Sequence, residues 1–347
     1  MAHAGPTSSP DPWLGRVIDQ RWKVEKFLGA GAVGSVYRAT DAQSGKQVAL
    51  KVWNGTALDA QTRGRFAREA TALTTLQHPN IVAVHGYGVV DELPYVAMEY
   101  LQGETLEALL ADGEPLPGEL ALDVARQFLS ALAYAHKAGV VHRDLKPDNV
   151  FLARSADGKR TVKILDYGLA KFLSPGDDPV KGVALTMTGM MMGTPLYMPP
   201  EQASGKKVDV RVDVYAAGCV LFEMWSGQPP YLGETHGEIL RGHMLSPVPK
   251  LGELRSDAIV TPALQALFDK AMAKQPEQRF ADAEQMLAAL EALPKPVLRA
   301  RGQISDFRPS AVTDVLPRHP VKDRTLWLAS LAAAVVVVGA LLFLWLR

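Results

Sequence analysis

The sequence predicts an α+β protein of two lobes, a small β-rich part followed by a larger helical part, with an apolar helix appended at the C-terminus. Three observations carry that expectation. Apolar and polar residues alternate in short runs before residue 97, helical periods dominate after Gly103, and residues 326–346 hold no charge. In chain order, residues 1–20 read as a flexible leader, since the Pro-, Ser- and Gly-rich start has neither a basic nor an apolar signal region. Gly34-Ser35-Val36-Tyr37-Arg38-Ala39 and Gln47-Val48-Ala49-Leu50-Lys51-Val52 alternate as strands do. A helix over 62–76 interrupts them and ends before His78-Pro79. Helical periods then cover 106–110, 119–138, 212–225, 262–274 and 281–290. Pro and basic residues recur without period over 294–325, as in a linker.

Composition excludes several classes. Of 347 residues, 48% are hydrophobic, enough for a sizeable core and too many for global disorder. Lys plus Arg and Asp plus Glu both number 37, so the chain lacks the basic field of a nucleic-acid coat. Cys219 is the single cysteine, which excludes a disulfide framework and any CxxC site. The uncharged run 326–346 makes a helix of about 31 Å, close to the hydrocarbon thickness of a bilayer. Trp327 and Trp345 lie near its ends; Arg318, Lys322 and Arg324 precede it and Arg347 follows, which places the preceding chain in the cytoplasm. With one residue after the span, any signal is expected from the cytoplasm, from helix association or from a partner protein.

The chemistry lies in a series of short motifs. Gly29-Ala30-Gly31-Ala32-Val33-Gly34 has the GxGxxG spacing, which dinucleotide folds also use. A dinucleotide fold needs a helix after the third glycine, whereas residues 35–39 alternate as a strand. A glycine loop between strands lets backbone amides approach phosphates with no side chain in the way. Lys51, on the next strand, suits the α/β-phosphates, and Glu69 on the following helix is placed to pair with it. His142-Arg143-Asp144-Leu145-Lys146-Pro147-Asp148-Asn149 follows, then Asp166-Tyr167-Gly168. Here Asp144 has the position of a carboxylate that accepts a hydroxyl proton, Lys146 can neutralise a transferring phosphate, and Asn149 and Asp166 supply hard oxygen ligands for Mg²⁺.

In this order the motifs resemble the eukaryotic-type serine/threonine protein kinase family, of the membrane-tethered kind found in bacteria, from residue 22 to about residue 290. The resemblance implies a protein kinase fold over 21–293, with an N-lobe at 21–97, a hinge at 98–103 and a C-lobe at 104–293. It implies ATP and Mg²⁺ as cofactors and Ser/Thr hydroxyls of proteins as acceptors. An adenine pocket is implied at Leu28, Val36, Ala49, Met98, Glu99, Leu101 and Phe151, beside the phosphate-covering Gly29, Gly31 and Gly34. Gly193-Thr194-Pro195 and Tyr197-Met198-Pro199-Pro200-Glu201 resemble the substrate-docking segment, Asp213 the anchor of the catalytic loop, and Arg279 the partner of Glu201. Thr194 resembles the threonine that contacts Asp144 and Lys146. Tyr167 stands where the family has Phe, so its hydroxyl needs a partner, and Pro199 stands where Ala or Ser is common.

Arg143 before Asp144 implies control by autophosphorylation, with Thr186 and Thr188 as acceptors, in trans within a homodimer. Neither nucleic acid nor an extracytoplasmic domain is expected. The rival readings are a membrane-anchored ATP-binding scaffold with little transferase activity, and a small-molecule phosphotransferase of related fold.

Overall fold

Alternation in the first third of the chain produces a six-stranded antiparallel sheet in a computed structural model, which describes residues 11–31, 34–54, 59–155, 158–167, 195–255 and 260–294. Its strands are β1 (Val17–Ile18), β2 (Trp22–Ala30), β3 (Gly34–Asp41), β4 (Gln47–Trp53), β5 (Val84–Val90) and β6 (Leu93–Glu99), in the order β1-β2-β3-β4-β6-β5. Helix α1 (Ala60–Thr74) crosses between β4 and β5. Its N-cap Asp59 accepts the Thr62 amide at 2.7 Å, and Thr62, Phe66, Ala70 and Leu73 form its buried stripe.

The start of the chain departs from expectation. Residues 11–20, read as part of a flexible leader, strap the outer face of this sheet. Val17 and Ile18 pair with Lys23 and Trp22, and Trp13 and Ile18 join the N-lobe core with Trp22, Tyr37 and Tyr95. The Asp11 carboxylate accepts the Tyr37 hydroxyl at 3.1 Å, and Arg16 pairs with Asp91 at 2.6 Å. The cause is apolar area: two tryptophans and an isoleucine within ten residues outweigh the polar start.

The C-lobe is helical, around α3 (Gly118–Lys137) and α5 (Arg211–Ser226), of which α5 is buried from Val212 to Ser226. Before α3 come β7 (Gly103–Thr105) and α2 (Leu106–Leu110); after it β8 (Val150–Arg154) and β9 (Arg160–Ile164) form a second sheet in the order β7-β8-β9. The remaining helices are α4 (Pro200–Ala203), α6 (His236–Leu245), α7 (Leu251–Leu254), α8 (Pro262–Ala271) and α9 (Ala283–Glu291). Thr261 and Asp282 cap α8 and α9 by accepting the amides of Leu264 and Gln285. Met98 and Glu99, expected in the hinge, belong to β6 and pair with Ala49 and Val48, so the irregular link is 100–102.

The linker and the 326–346 span lie outside the described residues. Among the described residues, no helix is long and apolar enough to cross a membrane.

Candidate active site

The site is built where β4, the loop after α3 and the segment after β9 meet. The glycine turn before β3 is closed by the Gly31 amide, which donates to the Gly34 carbonyl at 2.8 Å. A Cβ on Gly34 would come within 2.5 Å of the Val52 carbonyl oxygen, so only glycine fits where β3 passes β4. Gly29 pairs with Val36 beyond a register shift in β2. Leu28, Val36 and Ala49 are half-buried in adjoining strands. Met98 is buried; Leu101 packs on the C-lobe core and Phe151 is buried in β8 opposite Thr105. Glu99 pairs with Lys163 at 2.7 Å, tying β6 to β9.

On β4, Lys51 reaches across the cleft to Asp166, with Nζ 2.6 Å from Oδ2 and 5.2 Å from the centre of the Trp53 ring. Its expected partner Glu69 is instead exposed and makes no ion pair among the described residues. The reason lies in helix geometry. Phe66 is clamped edge-on between Trp53 and Tyr87, at 5.9 and 6.1 Å, and Glu69 falls on the rim of that buried stripe. A rim position turns inward or outward with a modest rotation of the helix.

The catalytic loop is held from below by Asp213, 1% exposed on α5. Asp213 Oδ2 accepts the His142 amide at 2.7 Å and His136 Nε2 at 3.0 Å, and Oδ1 accepts the Arg143 amide at 2.8 Å. Burial alone pushes the Asp213 carboxyl up, yet the His136 bond and neighbouring His142 bring it net below the usual carboxylate range. This grip holds Arg143 at φ 66°, a left-handed conformation that costs an L-residue about 1–2 kcal/mol. Asp166 is left-handed as well, at φ 51°. His142 Nδ1 accepts the Asp144 amide at 3.3 Å and Nε2 donates to the Leu165 carbonyl at 2.8 Å, while burial drives its pKa down and keeps it neutral.

Asp144 is exposed at the head of the loop. Asn149 Nδ2 donates to its backbone carbonyl at 2.8 Å, and Lys146 Nζ lies 3.9 Å from its Oδ2. The Leu165 amide donates to the Asn149 carbonyl at 2.9 Å, which brings Asn149 beside Asp166. Among the described residues, no group of three His, Cys, Asp or Glu side chains forms a metal cage. Two oxygen donors, from Asn149 and Asp166, fit Mg²⁺ when phosphate oxygens and waters complete its shell.

Further out, Arg279 is held by Glu201 through two bonds at 2.7 and 2.8 Å and donates to the carbonyls of Ala273, Arg211 and Lys274. Gln202 Nε2 donates to the Arg143 carbonyl at 3.2 Å, joining α4 to the catalytic loop. In the docking segment, the Tyr197 hydroxyl donates to Glu223 at 2.6 Å, and burial raises the Glu223 carboxyl to about 7. Tyr167 packs against His142 at 4.6 Å, and its buried hydroxyl finds no partner among the described residues. Thr186, Thr188 and Thr194 lie outside the described residues, as do Gly168 and Gly193. His136, which also bonds Asp213, carries no local sequence signal of that role.

Residues 22–290 match the family described as "Protein kinase domain". The chain belongs to the protein kinase family. Membership implies use of ATP. This kinase domain is 38% identical over 291 residues to the serine/threonine-protein kinase pkn3 of Myxococcus xanthus, covering 83% of this chain and 53% of that protein. The solved kinase domain of Mycobacterium tuberculosis PknI is similar at a TM-score of 0.61 and 28% identity, covering 80% of this chain and 97% of that one. A crystal structure of Rad53 in complex with AMP-PNP is similar at a TM-score of 0.61 and 25% identity, covering 77% of this chain and 64% of that one. The chain spans about half the length, or less, of the curated relatives it matches.

Proposed function

We propose that the chain is an ATP-dependent protein kinase that phosphorylates Ser and Thr hydroxyls, with Asp144 accepting the acceptor's proton. The convergence of Lys51, Asp144, Asn149 and Asp166 from separate parts of the fold carries this reading. Lys51 would orient the α- and β-phosphates, and Asn149 and Asp166 would hold Mg²⁺. When bound there, Mg²⁺ would supply positive charge to offset that of the phosphates. Lys146, close to Asp144 Oδ2, offsets charge on the group in transfer. The position of Lys146 and the name of the Myxococcus xanthus relative support Ser/Thr over Tyr acceptors.

In the same reading, residues 326–346 tether the domain to a membrane with the catalytic part in the cytoplasm, and a homodimer phosphorylates Thr186 or Thr188 in trans. The exposed Glu69 favours a second reading, an ATP-binding scaffold with little transfer. Incubation of the chain with γ-labelled ATP, Mg²⁺ and a basic protein acceptor separates the two. Transfer abolished by Asp144→Asn supports the kinase, whereas ATP binding without transfer selects the scaffold. Phosphosite mapping and membrane fractionation on the same samples check Thr186, Thr188 and the tether.

A further inference from the structure

Behind the docking segment lies a buried polar cluster that the phosphotransfer chemistry leaves unused. His243, on α6, is wholly buried. Its Nδ1 lies 2.9 Å from the Tyr215 hydroxyl, and its ring meets Tyr231 edge-on at 4.8 Å. Lys274 reaches in from beyond α8. Its ammonium donates to the His243 carbonyl at 2.8 Å, the Gly242 carbonyl at 3.1 Å and the Tyr231 hydroxyl at 2.8 Å, closing the last turn of α6.

These contacts decide the state of the imidazole. Burial, with the Lys274 charge beside it, lowers the His243 pKa to about 4, so the ring is neutral at physiological pH. The Tyr215 hydroxyl has one proton and two acceptors in reach, Nδ1 at 2.9 Å and the His243 carbonyl at 3.5 Å. The shorter contact takes it. Nδ1 is then the acceptor, and the ring proton sits on Nε2. The Pro195–Leu196 backbone lies beside the ring, yet Nε2 makes no hydrogen bond among the described residues. A buried N–H left unpaired is uncommon, and here a small shift of one short segment supplies its acceptor. Pro195 and Leu196 open the segment that, in the kinase reading, receives the protein acceptor.

We propose that His243 is a positioning residue for protein-acceptor binding: its Nε2–H bonds the Pro195–Leu196 backbone when an acceptor seats, with Tyr215 fixing the tautomer and Lys274 fixing the helix turn that carries the ring. Acceptor binding and formation of this bond are then coupled, because the acceptor selects the segment conformation in which the bond is made. Nucleotide binding, which engages Lys51 and Asp166, shares no residue with this cluster and is not coupled to it. The inference rests on the phosphotransfer reading above.

The test uses the full chain, with KM measured separately for ATP and for a basic protein acceptor in His243→Phe, His243→Gln and Tyr215→Phe. Gln places an N–H near the former Nε2 position; Phe fills the space without one. One neutral hydrogen bond corresponds to a change of about tenfold, so His243→Phe is expected to raise the acceptor KM about tenfold and the ATP KM less than about twofold. His243→Gln recovers most of the acceptor KM. Tyr215→Phe, which keeps the imidazole but frees its tautomer, raises it about threefold and serves if His243→Phe does not fold. An acceptor KM unmoved by His243→Phe or Tyr215→Phe overturns the inference. So does an equal rise in both KM values without rescue by Gln, the mark of a merely structural role. No transfer by the unaltered chain overturns the kinase reading itself, a result distinct from either.

Discussion

Asp213→Asn tests whether the catalytic loop is held by one buried carboxylate. Asp213 accepts three hydrogen bonds, from the His142 amide, the Arg143 amide and His136 Nε2. Asparagine offers one oxygen and one NH₂. With its oxygen toward His142 and His136, its NH₂ meets the Arg143 N–H, donor against donor. One buried N–H is lost at a cost of about 1–3 kcal/mol, and the remaining bonds lose charge assistance at about 1 kcal/mol each. The sum is about 3–5 kcal/mol. At roughly 2–4 °C per kcal/mol for a domain of this size, thermal unfolding followed by circular dichroism should shift down by about 6–20 °C. The left-handed Arg143 is the first part of the loop to relax, so turnover should fall at least about tenfold with the ATP KM little changed. An unfolding midpoint within 2 °C of the parent, with turnover within about twofold, would refute the argument.

Three further outcomes follow from the geometry. Lys51→Met should lower transfer by about 10²–10³ while leaving the unfolding midpoint nearly unchanged, because its partner Asp166 is one-third exposed; steady-state kinetics and calorimetry check both. Glu223→Gln should stabilise the protein at alkaline pH and not at acid pH. The folded carboxyl is raised from 4.5 to about 7, so its contribution is fully present below pH 4.5 and lost as pH rises through 7. At roughly 1.4 kcal/mol per pH unit, less about 1 for the weaker acceptor offered to Tyr197, the gain at pH 8 is about 2 kcal/mol, read from unfolding midpoints at pH 4 and pH 8. Trp13→Ala should cost about 3 kcal/mol by removing a buried ring, and an unchanged melting curve would return residues 11–20 to the status of a loose leader.

Much of the site was readable because its chemistry is compressed in sequence. Asp144, Lys146 and Asn149 lie within six residues, and their spacing alone puts them on one loop. Asp213 and Arg279 are far apart in the chain and were readable only through the family resemblance, since nothing local says that an aspartate in an apolar helix holds a distant loop. Glu69 shows the opposite limit: its helix was evident, but a residue at the rim of the buried stripe takes its direction from tertiary packing at Phe66. Helix α6 escaped notice because Gly237 and Gly242 dilute it and only Ile239 and His243 are buried. The strap at residues 11–20 was hidden by a polar start, although Trp13, Ile18 and Trp22 already spelled out an apolar anchor.

Tyr167 carries a consequence for the balance between conformations. Its ring fills the space beside His142 as phenylalanine would, but the added oxygen is shut away from any acceptor among the described residues. Where the hydroxyl stays unpaired, the cost is about 1–3 kcal/mol, and only for as long as the ring stays in this place. Any other placement that wets or pairs the hydroxyl recovers the sum, so the equilibrium is tilted toward departure by about 5–150-fold relative to phenylalanine. A single oxygen thereby loosens the hold of the core on the segment after β9 that carries Asp166, while leaving the shape of that core intact.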